Sequence, residues 1–234
     1  MAILDITNLK KSYTSPDGEP SIVIDIPRFT INEGEQVALE GSSGSGKTTL
    51  LNLIAGILLA DSGSIVLSGR ELTSLSEAER DRLRANTTGY IFQTFNLLQG
   101  YTALENVLLG MMFGNGIEES FALALLQRVG LKDRINYKPQ QLSVGQQQRI
   151  AVARALANKP KLVLADEPTG NLDQRHAREA IALIRQICSE SNAALLLVSH
   201  DHEVLGQFEK VEQLTNINRI QDESRSRNNE EVQP

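Results

Sequence analysis

The sequence contains very little cysteine: Cys188 is the one cysteine among its 234 residues. A single thiol excludes a disulfide within the chain and is typical of proteins kept in a reducing cytosol. Because Cys188 lies within a helical pattern, we expect it to be a small core residue. Cysteine usage therefore favours a cytoplasmic protein.

The sequence also lacks a long apolar segment. Its longest apolar runs, 53–60 and 193–198, are shorter than the roughly 20 residues that cross a bilayer. Residues 1–5 contain no basic region leading into an apolar core, so we expect no signal peptide. We therefore expect a chain that is soluble by itself and that another chain would hold at any membrane where it works.

An excess of basic residues is absent as well. The chain has 23 Lys and Arg against 29 Asp and Glu, which gives a formal net charge of −6. This balance argues against nucleic acid as the main partner. A length of 234 residues allows one large domain or one domain with an inserted lobe, and the sequence contains no internal repeat.

One stretch that is present, residues 41–48, fits the phosphate-binding pattern G-x-x-x-x-G-K-[ST] at every fixed position. An apolar run at 36–39 indicates a buried strand before it, and a helical run at 49–55 follows it. The glycines let backbone N–H groups turn toward an anion, and the N-terminus of the following helix favours negative charge. We expect Lys47 to reach the β- and γ-phosphates of a nucleotide and the Thr48 hydroxyl to hold Mg²⁺. The alternative is a flexible linker, but linkers do not join a buried strand to an apolar helix.

Two carboxylates, Asp166 and Glu167, directly follow the apolar run at 162–165. The carboxyl ends of parallel strands open onto one crevice, so we expect this pair beside the phosphate loop. Asp166 is then placed to bind Mg²⁺ through water, and Glu167 to accept a proton from the water that attacks the γ-phosphate. The alternative is that the pair only carries the chain from the strand into solvent.

Strand-length apolar pieces between residues 3 and 37 predict an antiparallel layer that leads into the phosphate loop. Turn-forming residues predict a loop at 15–20 and a turn at 61–64. The other strands that the pattern predicts lie at 3–9, 22–26, 29–31, 65–67, 89–93, 162–165 and 193–198.

Residues 102–157 show helical patterns and no convincing strand, which predicts a helical lobe inserted into a parallel-sheet core. Ser76 and Thr102 each begin a capping box, with a glutamate three residues later. Residues 118–129 are amphipathic, and the predicted apolar face contains Leu123, Leu125, Leu126 and Val129. A further helix is expected at 175–189, and a polar, disordered tail at 223–234.

A set of motifs in this order resembles the ATP-binding cassette (ABC) ATPases over roughly residues 3–220. The sequence Leu-Ser-Val-Gly-Gln-Gln-Gln-Arg at 142–149 resembles the family's Leu-Ser-Gly-Gly-Gln signature, and it lies in the predicted helical lobe. The other resembling motifs are the adenine-stacking aromatic at Tyr13, the Q-loop at Gln93, the Walker B end at 166–169, the D-loop at 171–173 and the switch histidine at His200. The phrases at 92–98, 102–107 and 170–173 are most similar to the branch that serves lipoprotein release and macrolide-type efflux.

The resemblance implies an α/β fold with a P-loop nucleoside-triphosphatase core. That core has a parallel sheet, joined by an N-terminal antiparallel β subdomain and an inserted helical subdomain. It implies one domain over residues 1–222, with the core at 1–95 and 155–222 and the helical subdomain at about 96–154.

The resemblance further implies an ATP-hydrolysing cytoplasmic subunit of a transporter, peripheral on the cytoplasmic face of the inner or plasma membrane. Two copies would sandwich ATP and Mg²⁺ between them, and their closure would drive conformational change in separate transmembrane subunits. Those permease subunits would bind a groove near residues 93–101. No nucleic-acid partner is expected.

Residue roles follow from the matching motifs. Ser143 resembles the N-cap of the signature helix, completed by Gln146, and this helix end would face the γ-phosphate held by the second copy. The alternatives are a cap on a buried helix for Ser143, a surface aromatic for Tyr13, a plain loop residue for Gln93 and an ordinary N-cap for Asp173. The residues expected in the chemistry are Glu167, His200, Gln93 and Lys47; those at the metal are Thr48, Gln93 and Asp166; those contacting nucleotide are Tyr13, Gly41, Ser42, Ser43, Gly44, Ser45, Gly46, Lys47, Thr48, Thr49, Ser143, Gly145, Gln147 and Asp173.

Three other functions are compatible with parts of the pattern. A soluble ABC factor of translation would normally carry two cassettes, whereas this chain has one. A DNA-repair or chromosome ATPase would need a long coiled coil between Gln93 and Ser143, and that interval holds only a small lobe. An ATP-dependent regulatory module on a non-transport membrane complex, of the cell-division type, is the remaining alternative. Because Lys47, Asp166 and Glu167 are intact, a module that binds ATP without hydrolysing it is less favoured.

Val144 departs from the signature, where the family has its first glycine. Valine keeps its backbone N–H, so we predict that ATPase activity survives and that nucleotide-driven dimerisation is weakened by the β-branched side chain. Measured turnover of a Val144→Gly variant should therefore stay within an order of magnitude of the wild type. An increase by several orders would mean that the natural site is not competent.

Overall fold

The computed structural model describes residues 1–14 and 18–220, so part of the predicted loop at 15–20 and the predicted tail at 223–234 lie outside it. The strands are β1 (Ala2–Thr14), β2 (Pro20–Asn32), β3 (Gln36–Glu40), β4 (Ser62–Leu67), β5 (Arg70–Glu71), β6 (Thr88–Ile91), β7 (Leu162–Asp166), β8 (Ala194–Ser199) and β9 (Lys210–Gln213). The helices are α1 (Lys47–Ile54), α2 (Glu77–Thr87), α3 (Ala103–Met111), α4 (Glu119–Arg128), α5 (Val144–Leu156), α6 (Gln174–Glu190), α7 (His202–Leu205) and α8 (Leu214–Ile217).

The strands form two sheets of opposite kind. An antiparallel sheet has the order β2-β1-β4-β5, and a parallel sheet has the order β6-β7-β8-β3-β9. In the parallel sheet, β3 leads into α1, while β7 lies two places away with β8 between them. Since all five strands run in one direction, the carboxyl ends of β3, β7 and β8 share one edge.

The parallel sheet is buried on both faces, as its continuous apolar strands predict. Alternate residues of β7 and β8 enter different cores. Leu164 and Leu196 pack with α1 and the antiparallel sheet, whereas Val163 and Leu197 pack with α6 and the helical segment. The predicted combination of a parallel sheet, an antiparallel layer and inserted helices is confirmed.

The N-terminal layer differs from the prediction in two places. The pieces predicted at 22–26 and 29–31 are one strand, because Arg28 between them stays paired with Thr7 of β1. The turn predicted at 61–64 is wrong, since β4 begins at Ser62. Gly63 has φ +91°, and a Cβ there would lie 2.3 Å from the backbone oxygen of Asn8. Glycine is thus needed because the two strands approach closely at a register shift. A glycine of this kind and a glycine in a turn cannot be told apart from turn propensity alone.

The helical segment follows its capping signals. The Thr102 hydroxyl accepts from the Glu105 N–H at 3.2 Å, and the Glu105 carboxylate accepts from the Thr102 N–H at 2.7 Å. Such a box satisfies two backbone donors at the start of α3. The helices α3, α4 and α5 share one core with a face of the parallel sheet, so the lobe is joined to the sheet by continuous apolar packing.

Cys188 is a buried residue of α6, and burial raises the pKa of its thiol to about 12. It is therefore the small core residue that the helical pattern predicts. Among the described residues, no helix is long and apolar enough to cross a membrane.

The apolar face predicted for α4 needs one correction. Leu125, Leu126 and Val129 are buried, but Leu123 is 37% exposed. Ala122 takes the core position instead, because it lies three and four residues before Leu125 and Leu126.

This correction gives a matched stability test. Leu126→Ala should lower the free energy of unfolding by about 2–5 kcal/mol, because it leaves a cavity in a fully buried site. Leu123→Ala removes the same atoms from a partly exposed site and should cost less than about 1 kcal/mol. Urea unfolding followed by circular dichroism measures both, and equal losses would contradict the observed orientation of α4.

Candidate nucleotide-binding site

The loop between β3 and α1 presents backbone donors to a cavity. Gly44 and Gly46 have φ values of +78° and +95°. A Cβ at Gly46 would lie 3.1 Å from both the side chain and the backbone oxygen of Val23. The first N–H groups of α1 have no partner within the helix, and they carry its positive dipole end. The loop therefore forms an anion-binding nest at the edge where the strands of the sheet end.

Lys47 is buried, and its ammonium is held from three sides. Its Nζ lies 2.6 Å from the Gly41 carbonyl, 2.9 Å from the Ser42 carbonyl and 3.1 Å from the Glu167 carboxylate. A buried cation needs such partners, because an unpaired charge out of water is costly. The Lys47 side chain thus lies folded under the loop and joins it to the end of β7.

Glu167 leaves β7 in an unusual backbone conformation. Its φ is +44°, a left-handed value that is uncommon for a residue with a Cβ. Its N–H donates to the Val198 carbonyl at 3.0 Å, and its Oε1 lies 2.8 Å from His200 Nδ1. Backbone strain of this kind is found mainly at functional sites, where the surrounding structure holds it. Here it turns the carboxylate toward Lys47 and His200.

Asp166, the last residue of β7, carries the clearest electrostatic signal in the cavity. Burial raises the pKa of its carboxyl above the ordinary value, and the neighbouring Glu167 charge raises it further. A hydrogen bond from Thr48 and the Lys47 charge act in the opposite direction. Desolvation therefore outweighs these two interactions, and the protonated carboxyl is favoured more than in water at a position next to the phosphate loop.

These groups enclose a cavity of about 320 Å³. Strand and helix ends bring together most of the residues that the sequence predicts for the site. The predicted residues that line the cavity are Tyr13, Ser43, Gly44, Gly46, Lys47, Thr48, Thr49, Gln93, Asp166, Glu167 and His200.

Three predicted loop residues, Gly41, Ser42 and Ser45, do not line the cavity. Gly41 and Ser42 present their carbonyls to Lys47, and the Ser45 hydroxyl donates to the Ser42 carbonyl at 2.8 Å. Their contribution in this structure is to shape the loop.

The signature and D-loop residues lie away from this chain's own cavity. Ser143 caps α5, since its hydroxyl accepts from the Gln146 N–H at 3.3 Å. The Gln147 amide donates to the Pro139 and Leu142 carbonyls at 3.0 and 3.1 Å. Gly145 lies in the first turn of α5, and Asp173 caps α6 by accepting from the His176 N–H at 3.1 Å. Contacts of these four residues with nucleotide stay a prediction.

Sequence reasoning missed residues that support the site from outside the motifs. Val23 of β2 forms a wall of the cavity, although β2 is remote from the phosphate loop in the sequence. Asn106 is fully buried, and its amide bonds Leu98 N, Leu98 O, Tyr101 O and Thr102 O at 2.9–3.2 Å. A polar residue at a core-facing position of a helix was the available signal for Asn106.

The cavity fits a magnesium nucleotide chemically. The nest suits phosphate, and the Thr48 hydroxyl and Asp166 carboxylate lie within hydrogen-bond reach of each other. Mg²⁺ is usually bound by one or two protein oxygens together with substrate phosphates. No cluster of three or more His, Cys, Asp or Glu residues is arranged to hold a metal in the part of the chain described.

Comparisons with known proteins agree with the motifs. The sequence model of the ABC transporter family matches residues 24–170. Lipoprotein-releasing system ATP-binding proteins LolD from Pseudomonas syringae and Pseudomonas fluorescens are each 43% identical over 213 residues, which is 90% of this chain and 93% of theirs. LolD from Shewanella frigidimarina is 42% identical, covering 89% of this chain and 88% of its own.

Solved structures give the same result. Two dimeric structures of the bacterial ABC transporter cassette MJ0796, one bound to ADP and Pi, have a TM-score of 0.82 and 35% identity. Each comparison covers 90% of this chain and 94% of the solved chain. The family and fold implied by the signature, the phosphate loop and the Walker B strand are confirmed. The chain belongs to the ABC transporter family, as one of its ATP-binding, ATP-hydrolysing subunits.

Proposed function

We propose that two copies of this chain bind Mg·ATP between them and use its hydrolysis to move separate membrane subunits that release lipoproteins. The observation that carries the reaction is the group of Lys47, Asp166, Glu167 and His200 around the phosphate nest. The lipoprotein cargo is supported by LolD relatives at 43% identity over most of both chains.

The proposed dimer is supported by the division of the motifs in a single chain. The cavity contains the phosphate loop and the catalytic carboxylate, while the Ser143-capped start of α5 is exposed elsewhere. A capped helix N-terminus favours an anion. We propose that a second copy supplies this helix end to the γ-phosphate; the cassettes of similar structure are themselves dimeric.

In the proposed reaction, the triphosphate occupies the nest and Lys47 turns its ammonium from the Gly41 and Ser42 carbonyls to the phosphates. Glu167 accepts a proton from water as the water oxygen bonds to the γ-phosphorus and the bond to ADP breaks. His200 donates a hydrogen bond to the γ-phosphate. Bound Mg²⁺, held by Thr48, Gln93 and Asp166, would neutralise charge on the phosphates.

The membrane subunits are proposed to bind a groove of about 510 Å³ beside the segment 93–101. Phe92, Phe113 and Ile57 give it apolar walls, and Arg154 reaches into it while its guanidinium donates to the Phe95 and Asn96 carbonyls. No residue of 93–101 lines this groove, but Phe92 does, and Arg154 links the groove to that segment through the two carbonyls.

Within the segment 93–101, the side chains of Leu98 and Tyr101 are 48% and 46% exposed. Asn106 holds the backbone of this short segment from inside, with bonds to the carbonyls of both residues. Exposed apolar side chains on a fixed backbone are typical of a protein–protein contact.

Glu167→Gln should bind ATP and accumulate as a closed dimer, because it keeps the shape of the site but cannot accept the proton. Steady-state phosphate release should fall by about 10²–10⁴-fold, and gel filtration with ATP should show the dimer. Lys47→Ala is the control, since it should lose nucleotide binding and stay monomeric. Full turnover by Glu167→Gln would remove Glu167 from its proposed role.

Asp166→Asn should raise the melting temperature of the nucleotide-free protein at pH 7 in EDTA. The raised pKa of Asp166 means that the folded protein favours the protonated carboxyl, so stability is lost as pH rises through that pKa. The gain should therefore shrink toward pH 4.

Asp173→Asn is the matched control with the opposite sign. Hydrogen bonds from the His176 backbone and side chain lower the pKa of Asp173, so its ionised form stabilises the fold at pH 7. This variant should melt earlier than the wild type at pH 7. Scanning fluorimetry measures both, and a lower melting temperature for Asp166→Asn would contradict the raised pKa of Asp166.

A further inference from the structure

One polar side chain in the signature helix is buried without belonging to any motif role assigned above. Gln148 of α5 is 1% exposed, and its amide Nε2 donates to the Pro168 carbonyl. Pro168 directly follows Glu167 and is itself buried. A single hydrogen bond thus connects the helix that begins at Ser143 with the chain at the catalytic carboxylate.

The segment that Gln148 holds is a tight turn. The Gly170 N–H donates to the Glu167 carbonyl at 3.1 Å, which closes the turn with Pro168 at its second position, where its fixed φ is favoured. Without Gln148, the Pro168 carbonyl would be a buried acceptor that lacks this hydrogen bond. The bond to Gln148 therefore restricts how the turn can rotate. Because Glu167 has a φ of +44° at the start of this turn, rotation there would redirect its carboxylate.

Packing alone does not explain a glutamine at this place. Gln148 Oε1 is buried and has no hydrogen-bond partner among the described residues, so one half of the amide is desolvated without compensation. An apolar residue of similar size would avoid that cost but would leave the buried Pro168 carbonyl without this partner. The feature that a glutamine adds here is therefore its bond to the turn that follows Glu167.

We infer that Gln148 is a positioning residue for ATP hydrolysis: it transmits the position of the signature helix to the turn that orients Glu167. Gln148 lies five residues after Ser143, about 7.5 Å along the axis of α5. The inference rests on the proposed dimer, in which the start of α5 faces one nucleotide and Glu167 of the same chain faces the other. Gln148 then couples the two nucleotide sites.

The first experiment compares Gln148→Met with Gln186→Met in the full-length chain. Methionine has a similar volume and no amide, and Gln186 on the exposed surface of α6 serves as the matched control. Gln148→Met should lower kcat about tenfold, because the turn that has lost this hydrogen bond would hold the Glu167 carboxylate less well in position. Its affinity for Mg·ADP, measured with a fluorescent nucleotide, should stay within about twofold of wild type, as one chain's nest is intact. Gln186→Met should change neither.

The second experiment uses Gln148→Glu, which makes the bond depend on pH. A protonated carboxyl can donate to the Pro168 carbonyl, whereas a carboxylate cannot and would repel Glu167. Burial raises the pKa of such a carboxyl, so the kcat of the variant relative to wild type should fall as pH rises from about 6 to 8.5. Melting temperatures recorded at the same pH values identify any loss that is due to unfolding.

The outcomes separate the two levels of proposal. Unchanged kcat in Gln148→Met, or a flat pH ratio in folded Gln148→Glu, would overturn the role of Gln148 and leave the proposed function intact. A fall in kcat that is matched by an equal loss of Mg·ADP affinity would assign Gln148 to general structure and also overturn it. No turnover by the wild-type chain would overturn the proposed function together with this inference.

Discussion

The structure of the site depends on the buried ion pair between Lys47 and Glu167. The two side chains come from opposite sides of β8, and their charged atoms are 3.1 Å apart. Neither charge could be buried alone, because an unpaired ion in the interior costs several kcal/mol. The pair therefore fixes the phosphate loop and the end of β7 relative to each other. In the proposed reaction Lys47 turns to the phosphates, so nucleotide binding would change the surroundings of the Glu167 carboxylate.

The sheet order makes this pairing possible. Placing β8 between β3 and β7 brings Ser199 and His200 to the same edge, where His200 approaches Glu167 at 2.8 Å. The loop carbonyls of Gly41 and Ser42 complete the surroundings of Lys47. The pKa of Asp166 is raised mainly because its carboxyl is buried, and the neighbouring Glu167 charge raises it further. A divalent cation would stabilise the ionised carboxylate of Asp166.

The sequence was sufficient to predict the features whose structure is determined by a short local pattern of residues. The phosphate loop, the strand before Asp166 and the capping boxes at Thr102 and Ser143 are of this kind, since each depends on neighbours within a few residues. It was insufficient where a distant backbone decides the outcome. Gly63 has the sequence pattern of a turn residue, and only the close contact with the Asn8 backbone shows that it lies in a strand. Val23 lines the cavity because of the strand pairing, which the local sequence does not reveal. Ala122 is buried where Leu123 was expected, because the face of α4 that enters the core depends on the elements against which the helix packs.

The position of α5 connects the remaining features. Its first turn carries Ser143 and the 47% exposed Val144, its middle holds Gln148 against Pro168, and its end carries Arg154, bonded to the carbonyls beside the groove. In the proposed mechanism, these 13 helical residues would carry a displacement at the groove to Gln148 and to the N-terminus of α5 together. A valine at the exposed first turn is compatible with this mechanism, because it leaves the backbone donors and the cap unchanged. Variation at that end should therefore alter the contact between copies more than the link to Glu167.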